Sequence, residues 1–116
     1  MWRVMLKSKI HRATITEACL AYVGSLTVDA DLLREADILP YEMVHVYNIS
    51  NGERFQTYAM EGEAGSGIVC LNGAAARRGA VGDLIIITTY SNYSPEELNH
   101  HTPQIILVDG QNRIQK

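Results

Sequence analysis

The chain has 116 residues and a formal charge of −3, with 47% hydrophobic and 20% charged residues. That suffices for one domain with one modest core, and it leaves no basic excess for nucleic acid and no polybasic run for a membrane surface. No apolar run is long enough to span a bilayer, and Arg3, Lys7, Lys9 and Arg12 break up the amino end where a signal peptide needs an unbroken apolar stretch.

Met1–Ile10 is predicted as a strand, because Trp2, Val4 and Leu6 alternate with Arg3, Met5 and Lys7. It continues with Ala13 and Ile15 on one face. Ala18–Val23 and Leu26–Val28 are two extended-looking apolar runs around Gly24-Ser25. Asp29 or Asp31 can cap a short helix through Leu32, Leu33 and Ala36, which Pro40 closes off. Met43–Ile49 is β-branched and apolar, and Asn51-Gly52 is a strong hairpin signal, so 43–50 and 53–60 are expected to pair. Glu61–Gly67 is expected as a glycine-rich loop and Ile68–Leu71 as a short buried strand. Ala74–Arg78 has helix composition, with Gly79 as its C′ residue. Leu84–Thr89 is a further strand. Ser94-Pro95-Glu96-Glu97 opens a short helix, and Gln104–Val108 is a last strand before a polar tail.

One pattern recurs. Leu39-Pro40-Tyr41-Glu42-Met43-Val44-His45-Val46 matches Ala80-Val81-Gly82-Asp83-Leu84-Ile85-Ile86-Ile87: a turn, an acid, then an apolar strand. It suggests two similar halves interlocked in a single domain. Many short strands with few helices predict a mainly β chain in a closed or nearly closed sheet. Cys19 and Cys70 sit in apolar runs without CxxC spacing, which favours free buried thiols in a cytoplasmic protein over a disulfide or a metal pair.

Gly24-Ser25 is the stretch with the most chemical potential. A serine hydroxyl can reach back to the preceding carbonyl and turn the amide into an ester, and glycine is where the required strain can be held. Taken alone, Gly-Ser is a turn or bulge inside a strand pair. Lys9 and Arg54 alone are solvated charges, and Tyr58 alone is a half-buried strand aromatic. Arg54 and Tyr58 lie four apart on one strand face, while Thr57 points the other way unless the strand bends. Asn72-Gly73-Ala74-Ala75 offers free backbone N–H groups at a helix start. Glu61–Gly67 lacks the Gly-Lys-Ser/Thr end of a phosphate loop. His100-His101 finds no third metal ligand at useful spacing, and His11 and His45 are expected to serve strand hydrogen bonds.

In combination, MLKSKIHRATIT, YVGSLTVD, NGERFQTYA and LNGAAAR, in that order, resemble the aspartate 1-decarboxylase family over essentially residues 1–110. The resemblance implies a double-psi β-barrel, homotetrameric, with active sites between neighbouring subunits. It implies a proenzyme that cuts itself at Gly24-Ser25, leaving a short chain, 1–24, and a longer one, 25–116. Ser25 would become a covalent pyruvoyl group, with no metal and no PLP. That group forms a Schiff base with L-aspartate, whose decarboxylation to β-alanine serves pantothenate and coenzyme A synthesis. Tyr58 would be the proton donor. Lys9, Arg54, Thr57, Asn72, Gly73, Ala74 and Ala75 would contact substrate, with Thr57 also assisting the cut. A maturation helper protein is a further potential partner; nucleic acid and membrane are not expected. Two other readings compete: a self-cleaving hydrolase with Ser25 as N-terminal nucleophile, and a non-catalytic barrel that binds a ligand or partner.

Overall fold

The computed structural model describes residues 1–115; Lys116, the end of the polar tail, lies outside them. Its strands are β1 (Arg3–Thr14), β2 (Glu17–Cys19), β3 (Ser25–Asp29), β4 (Met43–Asn48), β5 (Arg54–Gly62), β6 (Val69–Asn72), β7 (Leu84–Tyr93) and β8 (Gln104–Leu107). Two short α-helices, α1 (Ala30–Glu35) and α2 (Pro95–Leu98), and a 3-10 helix (Gly73–Arg78) complete it. The strand order is β2-β6-β3-β5-β4-β7-β1-β8. β1 and β2 are separated by two residues, so one nearly continuous segment pairs with β7 and then with β6. Thr16, between them, donates its N–H to Val69 O at 2.8 Å. The β1–β2 segment therefore links the β2 end of the order to β1 near its other end, an arrangement consistent with a small mainly β barrel.

The recurring pattern has a structural basis. Leu39 N donates to Glu42 Oε1 at 3.0 Å, and Ala80 N donates to Asp83 Oδ2 at 2.9 Å. Tyr41 N donates to Ala59 O at 2.7 Å, and Gly82 N donates to Ile15 O at 2.8 Å. Ala59 N returns a bond to Glu42 O, and Ile15 N returns one to Asp83 O, both at 2.9 Å. The third residue of each turn has positive φ, +72° at Tyr41 and +94° at Gly82. Thus β3-α1-turn-β4 is repeated as β6-3-10 helix-turn-β7, and the two turns plug into β5 and the β1–β2 junction respectively. Glycine takes the positive φ freely; for tyrosine it costs about 1–3 kcal/mol.

The core is one cluster. Ile10, Ile15, Leu26, Val28, Val44, Val46, Val69, Leu71, Ile85 and Ile87 face inward from the strands, and Leu32 and Leu33 cover them from α1. β1 keeps both Ile10 and Ala13 inside, despite their odd spacing, by a register shift at Arg12, where φ is +65°.

Several elements differ from expectation. Ala18–Val23 is extended only through Cys19, where β2 ends, because this edge strand pairs only with β6, and Leu20, Tyr22 and Val23 are left exposed. Glu61 and Gly62 belong to β5 because they pair with Val28 and Asp29 of β3. Gly79 is extended, with φ −166°, and its role is space: a Cβ there would lie 2.7 Å from Ile15 Cδ1. The glycine-rich segment wraps a carboxylate of its own chain. Buried Asp29 caps α1 through Asp31 N at 2.8 Å and also accepts from Gly65 N at 3.0 Å and Gly67 N at 2.8 Å. Burial alone would raise the Asp29 pKa, but these three N–H donors outweigh it and hold the carboxyl below its ordinary value. The tail is also structural. Asn112 is buried and its amide bonds Thr14 N and O and Gly67 O, at 2.8, 2.9 and 2.8 Å.

Candidate active site

Ser25 opens β3, which is central: it pairs antiparallel with β6 and parallel with β5. Ser25 stands opposite Asn72 and is only 5% exposed. Asn72 does not cap the helix that follows it. Its Nδ2 instead donates to Ser25 Oγ at 3.0 Å and to Thr27 Oγ1 at 2.8 Å, while its oxygen accepts from Cys70 Sγ at 3.0 Å. The orientation of the amide thus rests on the Cys70 thiol. Burial, and secondarily Glu17, pushes that thiol up to about 11, so it stays protonated and can donate.

Gly73 is pressed against the Gly24 backbone. Its φ is +62°, and a Cβ there would lie 2.7 Å from Gly24 Cα, 2.8 Å from Gly24 N and 2.9 Å from Tyr22 O. Glycine is therefore required on two counts, conformation and space. Gly73→Ala is expected to displace the Gly24-Ser25 link and to destabilise the fold, read as a lowered thermal midpoint.

Beside this link is a pocket of about 350 Å³, lined by Gly24, Thr57, Tyr58, Ala74, Ala75 and Arg78 together with Phe55 and Gln56. Its size is in the range of about 300–1,000 Å³ usual for small-molecule sites. Thr57 and Tyr58 both line it, although they are neighbours in a strand. Phe55 and Gln56 also line a second pocket of about 450 Å³, with His45, Tyr47 and Arg54. There the Arg54 guanidinium lies 4.4 Å above the Tyr47 ring. The Tyr47 and Tyr90 hydroxyls are 2.8 Å apart, and His45 meets the Tyr90 ring edge-on at 5.0 Å. Burial raises the Tyr47 pKa. Tyr90 is held below its ordinary value, first by the Thr88 hydroxyl, then by Tyr47, and further by Arg54 and Lys9.

The family model for aspartate decarboxylase matches residues 1–115. Relatives are alike over nearly the whole length. Aspartate 1-decarboxylase of Syntrophobacter fumaroxidans is 63% identical over 113 residues, covering 97% of this chain and 91% of its own. That of Desulfotalea psychrophila is 54% identical over 116 residues, covering 100% and 98%. That of Chromobacterium violaceum is 54% identical over 114 residues, covering 98% and 90%. The chain belongs to the aspartate decarboxylase family.

In this aspartate decarboxylase chain Gly24, Thr57, Tyr58, Ala74 and Ala75 line one pocket, while Ser25 follows Gly24, Gly73 packs against Gly24, and Asn72 bonds Ser25 Oγ. It sets Arg54 in the second pocket, and Lys9 in β1 opposite Thr88, close enough to Tyr90 to bias its ionisation. His11 is partly buried, its Nδ1 has no partner among the described residues, and burial followed by Lys9 and Arg12 lowers its pKa. Reading residue types singly missed Tyr47, Tyr90 and Cys70. For Tyr47 a signal existed: inward Val44 and Val46 put Tyr47 on the opposite face of β4, together with His45. Nothing in the sequence ties Cys70 to the Asn72 amide.

Proposed function

We infer that this chain is a proenzyme that cuts itself between Gly24 and Ser25 and, through a pyruvoyl group made from Ser25, decarboxylates L-aspartate to β-alanine and carbon dioxide. In a cell it would act in the cytoplasm and supply pantothenate synthesis. The observation that carries this reading is the seat of Ser25: a nearly buried hydroxyl, its oxygen held by Asn72, beside a pocket that contains Tyr58, in a chain of this family.

The residues fit the group. Ser25 Oγ bonds to the Gly24 carbonyl carbon, the C–N bond breaks, and the freed nitrogen takes the hydroxyl proton. Loss of the Ser25 Cα proton to a base then expels the Gly24 carboxylate from Cβ and leaves a Cα=Cβ double bond; this enamine takes a proton at Cβ to become an imine, and water replaces its nitrogen, which leaves as ammonia. Asn72 orients Oγ, and Thr27 and Thr57 stand close by. Once formed, the pyruvoyl group supplies an electron sink for the pair left when the α-carboxylate departs. Tyr58 holds the proton delivered to that carbon. The Gly73, Ala74 and Ala75 backbone receives one end of the substrate, where small side chains permit close approach.

Lys9 and Arg54 bind carboxylate, each charge-assisted bond contributing about 1.5–3 kcal/mol. Arg54, whose guanidinium lies over the Tyr47 ring, can offer two parallel N–H bonds, which lysine cannot. Within one chain neither cation lines the pocket beside the Gly24-Ser25 link: Arg54 lines the second pocket and Lys9 lies in β1 opposite Thr88. A second copy, in the homotetramer we propose, would bring one copy's cations to the other's Ser25. Discrimination against glutamate rests on one methylene, about 1–3 kcal/mol.

Intact mass tests the reading. Two pieces are expected, 1–24 and 25–116, the longer one ammonia lighter than a serine start. Borohydride with labelled aspartate should then mark the longer piece. An unmodified serine start would favour the hydrolase reading, and an uncut chain the binding module.

A further inference from the structure

The geometry points to Tyr41 as a positioning residue for Tyr58, a role that rests on Tyr58 being the proton donor. Tyr41 occupies the third position of its turn, at φ +72°, where the matching turn has Gly82 at +94°. The other described non-glycine residues with positive φ have local reasons. Arg12 sits in the β1 bulge, Asp37 follows the end of α1, and Asn112 is anchored through its amide. Tyr41 has neither an anchored polar side chain nor burial to offset the strain, since it is 73% exposed. What its side chain does meet is the Tyr58 ring, at 6.2 Å between centroids and 23° between planes, an offset-stacked geometry.

The backbone fixes this placement. Tyr41 N donates to Ala59 O and Ala59 N donates to Glu42 O, so the turn is fastened to the residue next to Tyr58. Tyr58 itself pairs with Met43, two residues beyond Tyr41. One face of the Tyr58 ring is thus backed by a ring whose own position is set by the turn. A phenol that delivers a proton must be held within hydrogen-bond reach of its target carbon, and the backing ring limits its swing. Glycine at this position would relieve the strain and remove the backing ring.

The test compares Tyr41→Gly, Tyr41→Phe, Tyr58→Phe and the double variant Tyr41→Gly/Tyr58→Phe as self-processed, assembled enzyme. Tyr41→Gly should cut fully, assemble normally, melt no lower than wild type and keep its KM for aspartate. Its kcat should fall roughly 10- to 100-fold. Tyr41→Phe, which keeps the ring, should recover most of that loss, and the double variant should be no slower than Tyr58→Phe alone. Wild-type kcat in Tyr41→Gly, failure of phenylalanine to rescue, additive losses in the double variant, or a loss traced to failed assembly would each overturn the role. If Tyr58→Phe turns over normally, the proton-donor reading falls first. If Tyr58→Phe is impaired and Tyr41→Gly is not, only the present inference fails.

Discussion

Ser25→Ala is expected to yield a single uncut chain with no decarboxylase activity above background. The substitution removes the hydroxyl that attacks the Gly24 carbonyl in the proposed cut, and with it the leaving group whose loss from Cβ leads to the keto group. The fold should tolerate the loss. Asn72 keeps its bonds to Thr27 Oγ1 and from Cys70 Sγ, so the buried amide is not orphaned. One hydrogen bond is lost, worth about 1 kcal/mol. Intact mass should give the full-length value at every incubation time, while the thermal midpoint stays near that of the uncut wild-type precursor. Cut and active Ser25→Ala protein would overturn the mechanism; a precursor that merely fails to fold would show itself in the melting curve.

Tyr58→Phe separates making the enzyme from running it. This variant should cut as wild type does, because Ser25, Asn72 and Gly73 are untouched. Decarboxylation should slow by about 10²- to 10⁴-fold, the usual contribution of a positioned general acid. The phenylalanine ring still stacks on Tyr41, so the pocket keeps its shape and the loss should fall on kcat rather than KM. Normal turnover by fully processed Tyr58→Phe would assign the proton to another group, with solvent the first to examine.

Much of the chain was legible as local chemistry. Asn51-Gly52 announced the β4–β5 pairing, and the registers from Met43↔Tyr58 to Tyr47↔Arg54 follow it. Ser94 and Glu97 announced the capping box that opens α2. The likeness between Leu39–Val46 and Ala80–Ile87 was faint as letters, yet it rests on the same hydrogen bonds in both copies. What misled was context. Ala18–Val23 is apolar enough for a strand, but β2 has a partner on one side only, and the chain turns away after three residues. The hairpin was expected to give way to a loop at Glu61, but a parallel partner, β3, draws Glu61 and Gly62 into β5.

Short stretches of the chain were enough to single out the Gly24-Ser25 link and the family, because these depend on neighbours along the backbone. Which distant groups meet emerged only from the folded barrel. Asn72 reaches Ser25 across 47 residues, Gly73 closes on Gly24, and the tail returns to bind Thr14 through Asn112. Folding also set Arg54 and Tyr58 of one strand into two adjoining pockets. Such meetings depend on strand order and register, which arise from burying one face of every strand at once, and no local stretch of residues carries that information.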